Sequence, residues 1–377
     1  MYSPLTIIKG KTIMKTNSYK QHTLALAVAA TLGASLPLTV SAQTVLEEVI
    51  VTAQKREQSL QDVPVAVSAF SGEMLQQSGV KDMFDLQTNA PSLIVSQTQT
   101  STTTTFSIRG VFTSSQNFGL EPSVGLYVDG VYRARQGSMI NNMVDVASVE
   151  VLRGPQGTLF GRNTPAGAIQ VNSVAPDFDG TGFIEGTAGD YDLWGVNGAK
   201  SFTVIDDVLA MRATGFIMNR DGYVDLINGD KTDEDAIHDR DRWGARLQAL
   251  YTPNDDITIR LNGDYSEVNE VCCAVGTWKN NFVPQDIDYP AGQPPYTGTD
   301  AKIAALGGTV LDQNDFYDYK VTANREPESD NEDRGIAMQI DWETDSFLLT
   351  SITAYREHES SDNADITFTD LDGAYRT

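Results

Sequence analysis

The residue types that most often carry catalysis or bind metals are scarce in this chain and poorly spaced for either role. Histidine occurs only at His22, His238 and His358, whereas the ligands of a zinc site usually come in closely spaced pairs. The two cysteines, Cys272 and Cys273, are adjacent, so they are either two thiols in a loop or a strained local bridge. The sequence predicts no catalytic residue, no cofactor and no metal site.

Two other segments resemble ligand-binding loops but lack the residues that such loops need. Residues 157–164 (GTLFGRNT) are rich in glycine, yet a phosphate-binding loop carries Lys and then Ser or Thr after its last glycine. The acidic run 233–235 (DED) could attract calcium, but the twelve-residue pattern that ligates this ion is missing. The sequence also has no serine nucleophile elbow. We therefore expect a protein that is not an enzyme.

The chain is long and acidic. Its 377 residues include 27 Lys and Arg against 51 Asp and Glu, which gives a formal net charge of −24. A surface that binds phosphates needs clustered positive charge, so this composition argues against a nucleic acid as partner. The length allows two or more domains.

The N-terminus has the features of a secretory signal peptide. Four lysines and no acidic residue precede Glu47, residues 24–40 are mostly apolar, and small residues lead up to Ala42. We expect cleavage after Ala42, with Met1 or Met14 as the start. A membrane-spanning helix is the alternative, but polar and helix-breaking residues interrupt a run shorter than about 20 residues. Loss of these four lysines changes the net charge from −24 to −28.

Residues 57–178 have the pattern of a small α+β domain. Helices are expected at 72–77 and 81–87, and Asp129-Gly130 between apolar residues predicts a hairpin turn. Strands are expected at 64–70, 93–96, 105–109, 123–132, 149–153 and 168–172.

Residues 179–377 instead show long strands in which apolar and polar residues alternate, most clearly at 243–251 and 336–343. An antiparallel sheet on a soluble core and a transmembrane barrel both give this alternation. Short polar turns after alternate strands are separated by long acidic connections, at 220–238 and roughly 268–334. Tight turns at one end and long loops at the other, with aromatic residues near the strand ends, favour the transmembrane barrel.

The number of these strands is too small for a closed barrel. We expect about seven, near 182–191, 193–204, 208–219, 240–252, 257–267, 335–344 and 346–358. A barrel with a plugged lumen has roughly 22 strands, and open edges are costly in lipid. The chain is therefore expected to be a truncated sequence, a gene fragment or an incomplete reading frame.

A short apolar, β-branched run lies in the otherwise polar stretch before the first domain. It reads EEVIVTA and spans 47–53. Such a run either forms the first strand of the core or adds a strand to the exposed sheet edge of a partner.

Together these segments resemble the TonB-dependent outer-membrane receptor family. EEVIVTA resembles the TonB box, through which these receptors contact the energising protein TonB, and 58–64 (QSLQDVP) resembles the start of the plug domain. IRG at 108–110, SVGLYVDGVY at 123–132 and VEVLRGPQGTLFGRNTPAGAIQVNS at 149–173 resemble the plug signature blocks, in the family's order. From residue 180 onward the chain resembles the first strands of the barrel.

The resemblance implies four regions. They are a signal peptide at 1–42, a TonB box with a periplasmic linker at 43–56, a plug domain at 57–178 and part of the barrel at 179–377. The expected fold class is an α+β plug domain followed by antiparallel transmembrane β-barrel strands, about seven of an expected ~22.

The resemblance also implies energised import across the outer membrane. The partners would be TonB with its ExbB/ExbD energising complex, the outer-membrane lipid and a small ligand, by default a ferric siderophore, with cobalamin or a glycan as alternatives. The TonB contacts would be Glu48, Val49, Ile50, Val51, Thr52 and Ala53. The plug signature residues would be Arg109, Gly110, Asp129, Gly130, Arg153, Gly154, Pro155, Gly157, Gly161, Arg162 and Gly167.

Ligand contacts are expected at the apex of the plug. By position the best candidates lie in the loop 114–121, at Ser115, Gln116, Asn117 and Phe118, although the same residues suit a plain solvated turn. Arg133 and Arg135 either meet an anionic ligand or pair with acidic residues of the barrel wall, and Arg153 and Arg162 are expected to reach that wall. A passive porin or adhesin, or a soluble exported β-protein, are the competing hypotheses.

Overall fold

The structure is a computed structural model that describes most of the chain from residue 50 onward. The described residues are 50–52, 58–98, 100–101, 103–115, 120–135, 137–139, 143–273, 275–276, 299–312, 315, 317–365, 367–373 and 375–376. The expected signal peptide lies outside them, as do Glu48, Val49 and Ala53 of the expected TonB box.

The first half of the described chain is an α+β domain, which we call the plug. Its helices are α1 (Gly72–Gln77), α2 (Met83–Asn89) and α3 (Gly157–Phe160), with a 3₁₀ turn at Gly137–Met139. Its strands are β1 (Ile50–Val51), β2 (Gln58–Ser59), β3 (Val67–Ser71), β4 (Leu93–Gln97), β5 (Thr104–Ile108), β6 (Val124–Val128), β7 (Val131–Arg133), β8 (Val146–Arg153) and β9 (Gly167–Ser173).

The plug helices begin where side chains cap them. Ser71 Oγ accepts a hydrogen bond from Met74 N and starts α1 at the predicted residue. The Asp82 side chain accepts hydrogen bonds from the backbone N–H groups of Phe84 and Asp85, and the Asp85 side chain accepts one from the Asp82 N–H. This reciprocal pair is a capping box. For this reason α2 begins two residues later than the sequence suggested. Within the described ranges no helix is both long and apolar enough to cross a membrane.

The plug core lies between these helices and a five-stranded sheet in the order β3-β8-β9-β6-β7. All neighbours in the sheet are antiparallel except β6 and β9, which are parallel. The expected strand 123–132 is in fact two strands, β6 and β7, joined by the predicted Asp129-Gly130 turn. Met83, Leu86 and Ile169 are fully buried in the core, where each contributes about 1.5–3 kcal/mol.

The second half forms a long antiparallel sheet, which we call the wall. Its strands are β10 (Gly182–Ala188), β11 (Trp194–Ile205), β12 (Leu209–Arg220), β15 (Arg240–Asn254), β16 (Ile257–Val271), β18 (Glu328–Glu343) and β19 (Leu348–Asp365). They lie side by side in that order, and the short β20 (Tyr375–Arg376) pairs with the end of β19. Among the described residues, these seven long strands overlap the seven predicted ranges, with β18 beginning at Glu328 rather than at 335.

The wall turns polar side chains inward and apolar side chains outward. On β15, Arg242 and Gln248 are 1% and 0% exposed, whereas Trp243 and Leu247 are 41% and 49% exposed. Residues next to each other on a strand point to opposite faces, so one face of β15 is polar and buried and the other is apolar and open. A sheet on a soluble core buries its apolar face; this wall does the opposite, as a strand facing lipid does.

The long connections contain structure that the sequence did not predict. Between β12 and β15 lie β13 (Val224–Asn228) and β14 (Lys231–Ile237), and β13 also pairs in parallel with β17 (Lys320–Thr322). The connection before β18 contains α4 (Thr299–Ala305). The sequence pattern did not predict β14 because most of its residues are charged and exposed, so the strand lacks the alternation of apolar and polar residues.

Candidate functional site

The described part of the expected TonB box is docked on the plug. Ile50 and Val51 pair with Ser59 and Gln58, in a two-stranded sheet separate from the five-stranded one. Val51 is 1% exposed and packs in a cluster with Tyr127, Leu152, Phe160 and Ala168. The run is therefore not a strand of the main plug sheet. It is a short segment held against it.

Thr52 supplies the polar half of this contact. Its backbone N–H and its hydroxyl both donate to Glu150 Oε1, at 2.7 and 2.9 Å. The hydroxyl oxygen accepts from Gln170 Nε2 at 2.5 Å and lies 3.3 Å from Asn172 Nδ2. One threonine is thus bonded to three side chains of the plug sheet.

The plug sheet places these partners side by side. Glu150 on β8 lies opposite Gln170 on β9 in the antiparallel ladder. Glu150 is 1% exposed, and burial raises the pKa of its carboxyl above the ordinary value, while the hydrogen bonds from Thr52 lower it. Sequence reasoning did not single out Glu150, although a lone acid inside the apolar run Val149–Leu152 was the available signal.

The signature residues of the plug mostly form turns. Arg109 and Gly110 have positive φ angles and join β5 to Val111. The Asp129 carboxylate accepts from the backbone N–H and the hydroxyl of Ser173, each at 2.8 Å, which ties the β6–β7 turn to β9. A Cβ on Gly167 would lie 2.3 Å from Leu152 O, so only glycine fits at this close approach.

The remaining signature residues surround α3. Gly157 begins the helix, and Gly161 follows it with a φ of 79°; Gly154, with a φ of 101°, and Pro155 precede it. Arg162 was expected to reach the wall, but its side chain is 77% exposed and pairs with Glu121 of the plug at 3.7 Å. Arg153 forms no ion pair with the wall among the described residues.

The expected ligand contacts are only partly described. Ser115 is buried, and its hydroxyl bonds Thr105 Oγ1 at 2.7 Å and Thr103 O at 2.8 Å. Gln116, Asn117 and Phe118 lie outside the described residues. Arg133 was expected to meet either a ligand or the wall, and it pairs with Asp333 of the wall at 3.2 Å.

Three ionic clusters hold the plug to the polar face of the wall. In the first, Asp145 of the plug accepts from Arg212 Nε and Nη2 at 2.8 and 2.6 Å and from Thr214 Oγ1 at 2.7 Å. The side chains of Asp145 and Arg212 are 1% and 4% exposed. A buried pair with this bidentate geometry offsets much of its desolvation cost.

The other two clusters follow the same plan with different partners. Arg242 of the wall bonds Glu270 at 2.5 Å and reaches Asp82 at the start of α2 at 3.2 Å. Asp333, which holds Arg133, is itself bonded by Arg356 at 2.7 Å. The polar inner face of the wall is therefore occupied by charged groups of the plug.

The adjacent cysteines form a bridge. Cys272 and Cys273 are joined by a disulfide directly after β16. Of the two alternatives that the sequence left open, the local bridge is the one present.

Comparisons with known proteins agree with this architecture. Residues 59–168 match the family described as the TonB-dependent Receptor Plug Domain. The pesticin receptor of Yersinia pestis is 34% identical over 200 residues, which are 52% of this chain and 29% of the receptor. The catecholate siderophore receptor Fiu of Escherichia coli (strain K12) is 26% identical over 204 residues, 53% of this chain and 23% of Fiu.

Among solved structures, the ferric yersiniabactin uptake receptor FyuA from Yersinia pestis has the same fold. It aligns with a TM-score of 0.63 at 21% identity, over 80% of this chain and 42% of FyuA. The chain spans less than a third of the length of the two curated relatives above. Receptors of this family are outer-membrane β-barrels and not enzymes. Residues 59–168 are therefore a plug domain of the TonB-dependent receptor type, and the chain as a whole shares the fold of the plug and part of the β-barrel of such receptors.

Proposed function

We propose that this protein is an outer-membrane receptor that imports a scarce ligand, a ferric siderophore, with energy delivered by TonB and the ExbB/ExbD complex. The observation that carries the proposal is the docking of Ile50–Thr52 on the plug through a two-residue ladder and the side chain of Glu150. A segment held in this way can be pulled off without breaking the five-stranded sheet. A structural strand of that sheet could not.

The contact of Ile50–Thr52 with the plug is weak enough for the segment to be released by a pulling partner. Hydrogen bonds to a charged acceptor contribute about 1.5–3 kcal/mol each, and Thr52 donates two of them to Glu150. Burial of Val51 adds about 1.5–3 kcal/mol. The segment would remain docked at rest, and a partner that adds a strand to it and pulls would release it.

The proposed location is the outer membrane, with the apolar face of the wall in lipid. Leu247→Arg should lower the amount of receptor recovered in outer-membrane fractions, because an arginine facing lipid costs about 2–4 kcal/mol near the bilayer midplane. Leu306→Arg is the matched control, since Leu306 is 73% exposed but lies in a connection rather than in the wall. Recovery of the wild-type protein in the soluble periplasm would overturn the membrane location.

The ligand class rests on the relatives and on the receptor architecture. Fiu is named as a catecholate siderophore receptor and FyuA as a ferric yersiniabactin uptake receptor. Import of cobalamin or of a glycan by the same mechanism is the second candidate. Growth under iron limitation, with a panel of ferric siderophores as iron source, separates the two, because only a siderophore receptor makes growth depend on this gene.

The decisive experiment deletes the codons for Glu48 to Ala53 in a strain whose uptake depends on this gene. Uptake of radiolabelled ferric siderophore should be lost while binding to whole cells is retained, and loss of TonB or of ExbB/ExbD should have the same effect. Thr52→Ser, which keeps the hydroxyl, is the control and should retain uptake. Uptake that persists without the segment and without TonB would identify a passive porin.

A further inference from the structure

A histidine and both cysteines meet at one end of the wall, where β15 begins and β16 ends. Strand β15 begins just after His238, and β16 ends just before Cys272. The register of this strand pair sets Arg242 opposite Val268, and beyond the end of the ladder a hydrogen bond from His238 N to Val271 O brings His238 next to Cys272. His238 Nδ1 is 3.9 Å from Cys272 Sγ. One ligand atom from each of His238, Cys272 and Cys273 lies within 4.8 Å of the other two.

The cysteine side of this group is fixed by buried backbone contacts. Cys272 is 0% exposed and Cys273 is 9% exposed. The Cys272 N–H donates to Pro327 O at 2.7 Å, and its carbonyl accepts from Ser329 Oγ at 3.0 Å. Both contacts come from residues at the start of β18, so this strand fixes the backbone of Cys272 at the end of β16.

The histidine side is equally well held. The His238 N–H donates to Val271 O at 2.8 Å, and its carbonyl accepts from Arg220. Its ring stacks on Tyr223 with the ring planes 12° apart and the centroids 5.2 Å apart. The φ of His238 is 68°, a left-handed conformation that costs a non-glycine residue about 1–3 kcal/mol.

We propose that Cys272, Cys273 and His238 form a thiol-gated binding site for a thiophilic metal ion of the Zn²⁺ type. In the oxidised protein the sulfur atoms are joined to each other and bind no metal. Two molecules of a small thiol reduce the bond by exchange through a mixed disulfide, which yields two cysteine thiols and one molecule of the oxidised thiol. Zn²⁺ then replaces the two thiol protons, and the imidazole Nδ1 completes an NS₂ ligand set.

The chemistry of the donors selects the metal class. Thiolate and imidazole suit Zn²⁺ and Cu⁺, whereas Ca²⁺ and Mg²⁺ take oxygen ligands. With Zn–S near 2.3 Å and Zn–N near 2.0 Å, a tetrahedral site separates sulfur from nitrogen by roughly 3.5 Å. The observed 3.9 Å from Cys272 Sγ to His238 Nδ1 needs only a small adjustment. Three protein ligands leave a fourth position open for water or for a donor atom of an incoming molecule.

The test uses the folded full chain in detergent and Zn²⁺ alone as the probe. One sample is reduced with dithiothreitol and desalted without oxygen, and the other is left oxidised; both are titrated with Zn²⁺ against a chromogenic chelator. The reduced protein should bind one equivalent and the oxidised protein none. Co²⁺ substitution should add the charge-transfer band of thiolate ligation. Absence of binding by the reduced protein, or equal binding by both forms, overturns the proposal.

Variants then assign the ligands. His238→Gln and Cys273→Ser should each weaken Zn²⁺ binding more than about tenfold, because even loss of an outer-shell partner costs 10–100-fold. His358→Gln is the matched control, since His358 lies on β19 and belongs to no metal-ligating group among the described residues; its affinity should be unchanged. If His238→Gln binds as tightly as the wild type, the three-ligand site is wrong. The Co²⁺ band of each variant shows whether thiolate ligation survives the substitution.

Discussion

Glu150 Oε1 accepts two hydrogen bonds from Thr52, one from the backbone N–H at 2.7 Å and one from the hydroxyl at 2.9 Å. The two residues are 98 positions apart in the sequence. Because β1 and β2 pair through only two residues each, this carboxylate is the principal polar anchor of the docked segment. The first two predictions concern this anchor.

Removal of the Glu150 side chain should loosen the docked segment. Glu150→Ala leaves the Thr52 N–H without its acceptor, which costs about 1–3 kcal/mol and should speed its hydrogen exchange by roughly 5–150-fold. Glu150→Gln keeps an acceptor oxygen and should have a smaller effect. Hydrogen exchange of peptides that contain Thr52, read by mass spectrometry, measures both. Equal protection in wild type and Glu150→Ala would show that the carboxylate does not hold the segment.

The ionisation of Glu150 should make the stability of the plug depend on pH. Burial raises the pKa of its carboxyl above the ordinary 4.5. Because the folded protein then binds this proton more tightly than the unfolded chain, the proton stabilises the fold at any pH below the unfolded-state pKa. This contribution is lost as pH rises through the folded-state pKa. The free energy of unfolding should therefore fall less with rising pH in Glu150→Gln than in the wild type. Urea titrations in detergent at several pH values, monitored through hydrogen exchange of peptides from β8, test this prediction. Parallel plots of the free energy of unfolding against pH for the two proteins would contradict it.

The buried pair of Asp145 and Arg212 should be far more important for stability than an exposed pair. Asp145→Asn keeps the shape and tolerates the φ of 59°, but it leaves the buried Arg212 guanidinium with only the longer contact to Asp177 at 3.5 Å. Breaking a buried pair costs about 3–5 kcal/mol. The control is Glu121→Gln, which removes the partner of the exposed Arg162 and should cost about 0–1 kcal/mol. Denaturant unfolding of the two variants in detergent compares them. Similar losses would mean that the first cluster does not tie the plug to the wall.

A methyl group on Gly167 should destabilise the plug sheet. The added Cβ would lie 2.3 Å from Leu152 O and 2.7 Å from Ile108 Cδ1, and such overpacking costs about 1–3 kcal/mol or more. Gly157→Ala is the control, because a Cβ there meets no atom within 4 Å. Thermal unfolding should show a lower midpoint for Gly167→Ala and an unchanged or higher one for Gly157→Ala. A normal midpoint for Gly167→Ala would show that β8 and β9 can move apart at this point.

The elements of this fold were predictable where a repeating pattern marks them. Alternation along 243–251 gave both the existence of β15 and the identity of its apolar face, because successive side chains on a strand point in opposite directions. The turn at Asp129-Gly130 was predictable because it needs positive φ at these residues. Strand β18 begins at Glu328, seven residues before its expected start at 335, since residues 328–334 are polar on both faces.

The contacts of the site were not predictable in the same way. Alternation shows that Arg212 faces inward, but it does not show that Asp145 meets it, because that distance depends on how the plug and the wall pack. Arg162 shows the same limit. Its charge suggested a contact with the wall, whereas in the structure it forms an ion pair with Glu121 of the plug. The contact between His238 and Cys272 depends on how β15 and β16 pair. The sequence alone does not show which residues of the two strands lie opposite each other.

The polar inner face of the wall has a consequence for motion. Where Gln248 Nε2 donates to Ser173 Oγ, and where Ser329 Oγ accepts from Ser101 N, both surfaces are hydrophilic, so water can replace each bond when they separate. An interface of leucines would instead expose hydrocarbon and resist any sliding until a large area had opened. Specific charge pairs therefore hold the plug against the wall at rest. The plug can shift along the wall when water molecules replace these contacts.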